Sequence, residues 1–208
     1  MSARDNILSA VRSPLGRNAP RPAPWQTIRP PGDLVARFVA HAGAAAAQVK
    51  ILEGADDIPL AAAEILRLRN LPAILHLPPD PILERLTWSS TPGLTLARAA
   101  PGPEDAAMSV ARFGIAETGT LFYPASSVRP ASWHFRPGLE VAILAADSID
   151  FTLEQVLARL QGEGALPSTV NLVTGPSRTG DIEQTLELGA HGPKELAILI
   201  VPGGLQWA

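Results

Sequence analysis

The sequence predicts an α/β fold: a Rossmann-like, open and mostly parallel sheet with helices on both faces. Apolar runs of strand length alternate with amphipathic segments of helix length along most of the chain, and parallel strands need such helical crossovers between them. The 208 residues are 46% hydrophobic and 18% charged, which is enough apolar material to bury the core that such a sheet requires.

A change in composition predicts the domain organisation. Residues 1–32 combine a short amphipathic helix with an arm rich in proline and arginine, and the prolines exclude a packed helix or a central strand within that arm. Residues 33–208 are predicted to form a single α/β domain that begins at Asp33, a residue type that caps helices. The arm is either a tether or a segment that docks a partner through Trp25.

The first half of the domain alternates helices and strands after the helix that begins at Asp33. The predicted elements are a strand at 48–53, a helix at 58–70, a strand at 72–77, a short helix within 78–86 and a strand at 93–98. Residues 108–124 then predict two extended pieces on either side of a polar turn, AETG.

The second half predicts strict alternation, with strands at 139–145, 169–173 and 195–201 and helices at 151–162 and at about 179–188. Ligands of open α/β sheets bind beyond the carboxyl ends of the strands. The AETG turn and the polar stretch after the strand at 169–173 are therefore the first places to expect a functional site.

Composition excludes several classes of function. The net charge of −3 argues against a nucleic-acid-binding protein, which would carry a basic surface. The absence of cysteine excludes disulfides, thiolate zinc sites and cysteine-ligated iron–sulfur clusters in this chain. The N-terminal residues lack the apolar core of a secretory signal, and no apolar run reaches about 18 residues, so we expect a cytoplasmic protein without a membrane span.

The AETG turn supplies the first set of candidate residues. Glu117 could act as a general acid or base, or as a nucleophile, with the hydroxyl groups of Thr118 and Thr120 beside it. The alternative is that the segment is only a turn that needs Gly119 for its backbone conformation.

The second set lies in residues 175–193, GPSRTGDIEQTLELGAHGP. The spacing of Gly175 and Gly180 is that of a phosphate-binding loop, but the lysine that such a loop requires is absent, so we exclude a nucleotide phosphate site. A helix beginning near Ser177 and Arg178 could still hold a carboxylate or a single phosphate on its N–H groups and the guanidinium. The alternative is that the hydroxyls only cap the helix and Arg178 is solvated or paired with Glu183.

The histidines give no metal pattern. His41, His76, His134 and His191 are widely separated in the sequence. His191, beside a Gly-Pro pair, could carry a proton or be an ordinary loop residue. The sequence Trp133-His134-Phe135 is either a lid or a surface loop packed by its own aromatic side chains.

Taken together, GIAETGT at 114–120 and the stretch at 175–193 resemble the LUD domain family, in particular its lactate-utilization branch. The resemblance covers the last half of the chain most strongly, and residues from 33 onward loosely. It implies a fold related to CoA-transferases, ribose-5-phosphate isomerase and 5-formyltetrahydrofolate cyclo-ligase. It also implies a role in oxidising L-lactate to pyruvate with iron–sulfur partner proteins, whose clusters this chain would not itself hold.

The resemblance implies a site built from Glu117, Thr118, Gly119, Thr120, Ser177, Arg178, Thr179, Asp181, Glu183, His191 and Gly192. In the leading hypothesis, an accessory subunit binds a small carboxylate or another anion there, with Glu117 and then His191 as candidates for proton transfer. Two alternatives remain open: a free-standing CoA-transferase-like or isomerase-like enzyme that uses Glu117, and a non-catalytic scaffold that binds partners through the arm.

Overall fold

The structure, a computed structural model, describes residues 2–12, 32–164, 167–180, 186–188, 192–203 and 205, and of 178–180 and 186–188 it describes the backbone alone. The chain divides into two compact units, Met1–Pro30 and Pro31–Ala208. In the first unit, the helix Ala3–Arg12 begins with a reciprocal cap: the backbone N–H of Ser2 donates to Asp5, and that of Asp5 donates to the Ser2 hydroxyl.

The helices and strands follow one another in this order: α1 (Ala3–Arg12), α2 (Leu34–Ala44), β1 (Gln48–Ile51), α3 (Ile58–Leu68), β2 (Ile74–His76), α4 (Pro81–Glu84), β3 (Thr95–Ala97), β4 (Ala106–Val110), β5 (Phe113–Ile115), β6 (Thr120–Pro124), α5 (Ser132–Phe135), β7 (Leu139–Ala145), β8 (Ile149–Asp150), α6 (Leu153–Gly162), β9 (Val170–Val173), β10 (Arg178–Gly180), β11 (Leu186–Leu188) and β12 (Glu195–Val201).

The main sheet has six strands in the order β1-β12-β7-β4-β2-β3, and every neighbouring pair is parallel. This confirms the predicted open parallel sheet. All seven residues of β7 are buried, and β12 is buried except for Glu195. A strand covered on both faces consists of a continuous apolar run, which is why the bounds of these two strands match the sequence prediction.

Helices cover both faces of the main sheet, as predicted. On one face, Ile58 and Leu66 of α3 pack with Val141 of β7 in the larger core cluster. On the other face, Phe38 of α2 packs with Leu144 of β7 in a second cluster, together with residues of a smaller sheet. None of the helices in the described ranges is long and apolar enough to cross a membrane.

The smaller sheet was not predicted. It has four strands in the order β8-β5-β6-β9, and β9 pairs antiparallel with β6. The sequence prediction that residues 169–173 continue the parallel alternation is therefore wrong. Burial alternates along β9, with Asn171 and Val173 buried and Leu172 exposed, as in a strand with one covered face and not in a central parallel strand.

The predicted helix at about 179–188 is also wrong. Arg178–Gly180 and Leu186–Leu188 form an antiparallel pair, in which Thr179 lies opposite Glu187. Threonine and glycine are weak helix formers, and the alternation Leu-Glu-Leu in β11 fits a strand. No helix therefore begins at Ser177–Thr179, and the anion-binding helix terminus expected there is absent.

Candidate functional site

The two sequence motifs meet at the carboxyl end of α2. Gly119, in the turn between β5 and β6, has a φ of 69°, and a Cβ added to it would lie 2.2 Å from the backbone N of Ala42. Gly175 has a φ of 74°, and its added Cβ would lie 2.0 Å from the carbonyl O of Ala45. Only glycine combines this left-handed backbone with so close an approach, so the sequence requires glycine at both positions.

Three threonine hydroxyls connect the motifs. The Oγ1 atoms of Thr118 and Thr120 lie 2.6 Å apart, and those of Thr120 and Thr174 also lie 2.6 Å apart. The three hydroxyls carry three hydrogens, and the two contacts use two of them, so one hydrogen remains to donate elsewhere. When the chain of hydrogen bonds runs from Thr118 towards Thr174, the hydrogen of Thr174 is left to donate to a ligand. Thr174, the residue after β9, was not among the residues predicted from the sequence.

A cavity of about 470 Å³ lies beside this junction. The Ser177 backbone N–H donates to the carbonyl O of Pro193 at 2.9 Å, and a Cβ added to Gly192 would lie 3.2 Å from the Ser177 Cβ. The structure therefore brings Ser177 and Gly192 of the second motif together at the cavity. Its lining combines small polar and apolar residues: Ala45, Phe135, Leu172, Val173, Thr174, Gly175, Pro176, Ser177, Gly192 and Pro193.

The structure gives fewer contacts for the other predicted site residues. Glu117 is exposed, and its side chain makes no hydrogen bond or ion pair with the part of the chain that the structure describes, while its backbone N–H donates to the carbonyl O of Phe151. Its proposed chemistry stays a prediction. Of the remaining residues, Arg178 and Thr179 are described by their backbone in β10, and Asp181, Glu183 and His191 lie outside the described residues.

A second polar cluster, buried between the two sheets, centres on Glu140 of β7. One carboxylate oxygen, Oε1, accepts hydrogen bonds from the Ser109 hydroxyl at 2.6 Å and the Tyr123 hydroxyl at 2.9 Å, and lies 3.1 Å from Nδ1 of His134. The Tyr123 ring stacks on the His134 ring with centroids 3.8 Å apart. Glu140 is 0% exposed and the other three are almost fully buried. We call these four residues the Glu140 network.

Three members of the Glu140 network were not predicted from the sequence, because they lie on strands whose residues are mostly apolar. The available indication was a single charged residue inside the run Leu139–Ala145, where a glutamate costs free energy unless it is hydrogen-bonded. The interpretation of residues 133–135 as a surface loop is wrong, because Trp133 and His134 are buried. The next residue, Phe135, lines the cavity.

Among the residues that the structure describes, no group of three or more histidine, aspartate or glutamate side chains is placed to hold a metal ion. Among the described residues that line the cavity, the polar groups are hydroxyls and backbone groups, which bind ligands by hydrogen bonding.

Comparison with known proteins identifies the family. The model of the LUD domain matches residues 98–201, half of the chain, and both motifs at the junction lie inside that match. A solved structure of a DUF162 family protein from Deinococcus radiodurans has a similar fold, with a TM-score of 0.59 and 17% identity over 83% of this chain and 99% of that one.

Two curated relatives resemble the chain in sequence. Lactate utilization protein C of Shouchella clausii is 31% identical over 100 residues, which are 47% of this chain and 44% of that protein. An uncharacterized protein of Neisseria meningitidis serogroup B is 35% identical over 98 residues, 47% of this chain and 42% of that protein. The chain thus matches less than half the length of these curated relatives.

The Glu140 network makes the stability of the protein depend on pH through Tyr123. Burial raises the pKa of Tyr123 well above its ordinary value of 10.0, and the charge of Glu140 raises it further. The folded state therefore holds the phenol proton more tightly than the unfolded state does. This contribution to the free energy of unfolding is complete below pH 10.0 and is lost as the pH rises towards the folded-state pKa.

We predict that Tyr123, the one tyrosine in the sequence, develops its phenolate absorbance in alkali only as the protein unfolds. Chemical denaturation at a series of pH values should show the advantage of the wild type over Tyr123→Phe shrinking above pH 10.0. A phenolate that forms at pH 10.0 in protein that is still folded would contradict the buried placement of this hydroxyl.

Proposed function

Because the chain belongs to the LUD domain family, we propose that it takes part in L-lactate utilization and binds a small carboxylate in the cavity beside Thr174. The name of the Shouchella relative supports the metabolic role. The observation that carries the ligand site is the Thr120–Thr174 hydrogen bond, because it joins the first motif to a residue that lines the cavity beside the second.

The cavity is large enough to admit a molecule such as lactate, and its lining suits the chemistry of one. Thr174, Ser177 and the backbone around Gly175 offer hydrogen-bond groups for a carboxylate, and Phe135 and Val173 offer apolar surface for a methyl group. Since no helix begins at this point, the carboxylate is held in this proposal by hydroxyls, backbone amides and the guanidinium of Arg178, the residue that follows Ser177.

The oxidation of lactate to pyruvate removes two electrons, which must pass to an acceptor. The chain has no cysteine and cannot supply thiolate ligands to an iron–sulfur cluster. In this proposal, iron–sulfur partner proteins receive the electrons, and this chain contributes the ligand site.

The ligand site is tested by replacing the Thr174 hydroxyl with a methyl group of similar size. Thr174→Val removes one hydrogen bond to a charged ligand, so we expect the dissociation constant for L-lactate, measured by calorimetry, to rise about 10-fold or more. Thr95→Val, an equivalent change at an exposed position of β3, should leave it unchanged. Equal affinity of the Thr174→Val variant and the wild type would place the ligand elsewhere.

The need for partners is tested by an oxidation assay. The purified chain, given L-lactate and an artificial electron acceptor, should form no pyruvate, and addition of iron–sulfur partner proteins should restore pyruvate formation. Pyruvate formed by the purified chain alone at an undiminished rate would contradict this division of labour and favour a self-sufficient enzyme.

A further inference from the structure

The Glu140 network leaves two polar atoms without partners. Nε2 of His134 and Oε2 of Glu140 are buried, and neither has a hydrogen-bond partner among the residues that the structure describes. A buried polar atom without a partner is costly, so proteins seldom keep one that serves no purpose. These two atoms therefore indicate that the network has a further polar partner.

The hydrogen bonds of the network define what His134 can offer. The hydroxyls of Ser109 and Tyr123 both donate to Oε1 of Glu140, and Tyr123 keeps its proton because its pKa is raised. A carboxylate that already accepts from two hydroxyls receives a third hydrogen from Nδ1 of His134. In the neutral imidazole with its proton on Nδ1, Nε2 presents a lone pair and accepts a hydrogen bond.

Two residues that line the cavity are close neighbours of the Glu140 network. Helix α5 contributes His134 to the network and the next residue, Phe135, to the cavity wall. On β9, Asn171 lies opposite Tyr123 in the strand register, and Val173, on the same face about 6–7 Å further along, lines the cavity. Asn171 itself has a buried amide nitrogen, Nδ2, without a partner among the described residues.

We propose that His134 is the residue that recognises the hydroxyl group of a 2-hydroxy acid, with Nε2 accepting the hydrogen bond from the ligand hydroxyl while Glu140 fixes the imidazole. The inference rests on the proposed function, because it assumes that a carboxylate occupies the cavity. The Phe135 ring lies edge-on to the His134 ring, with centroids 6.3 Å apart, and it lines the cavity. At 38% exposed, the Phe135 side chain has solvent into which it can turn and open a way to His134. Glu140 is a positioning residue in this arrangement, since it acts through His134.

A pair of ligands that differ by one hydroxyl tests the inference. L-Lactate and propionate have the same carboxylate and carbon skeleton, and only lactate carries the hydroxyl. We expect the wild-type chain to bind L-lactate about 10-fold more tightly than propionate, and His134→Asn to reduce this ratio to about one. His76→Asn, the same change at a histidine of β2 that contacts Ala99 and Asp105 and does not belong to the Glu140 network, should keep the ratio.

Nitrogen NMR of the wild-type histidines tests the same contact without a variant. In the ligand-free chain, Nδ1 of His134 should be protonated and Nε2 unprotonated. The Nε2 resonance should shift on addition of L-lactate but not on addition of propionate. A protonated Nε2 in the free chain, or equal binding of the two acids, would overturn the inference and leave the proposed function standing. Binding of neither acid would overturn the proposed function as well.

Discussion

The candidate site depends on the close approach of two backbone turns to the carboxyl end of α2. Gly119 and Gly175 each contact the last turn of that helix or its cap so closely that there is no room for a Cβ. Both also have a left-handed backbone conformation, which favours glycine. The antiparallel register of β6 and β9, in which Leu121 lies opposite Val173, then places the hydroxyl of Thr120 2.6 Å from that of Thr174. The contact with α2 holds both turns at this end of the smaller sheet, and Ala45 and Gly175 line the cavity there.

The Glu140 network joins the two sheets from within. Ser109 and Glu140 stand on the main sheet, Tyr123 stands on the smaller sheet, and His134 is carried by the short helix α5. Apolar packing between sheets tolerates small shifts, whereas hydrogen bonds to one buried carboxylate oxygen require a single geometry. A buried charge of this kind adds little to net stability, and we infer that it serves to set the relative position of the layers and of α5.

The sequence predicted those elements whose environment is uniform along their length. The strands β7 and β12 were found to the residue, because a central parallel strand is apolar throughout. β9 and the β10–β11 pair were misassigned, because a short apolar or polar stretch does not reveal its partner strand.

The same limit applies to the candidate site. The resemblance singled out the two motifs that meet at the cavity. They include Ser177 and Gly192, which the structure brings together. It could not reveal the Glu140 network, whose members come from four separate elements and meet only after folding. Thr174 was missed for a similar reason, since a single threonine after a strand is an ordinary loop residue until its contact with Thr120 is seen.

Both motifs are held against α2 at positions that admit only glycine, and the free energy of unfolding of three glycine-to-alanine variants tests this most directly. Gly119→Ala and Gly175→Ala should each lose about 2 kcal/mol or more, from the left-handed conformation and the backbone contact. Gly162→Ala, at the end of α6 with open space around it, should change stability by at most about 1 kcal/mol, in the favourable direction. Equal effects at all three positions would contradict the account.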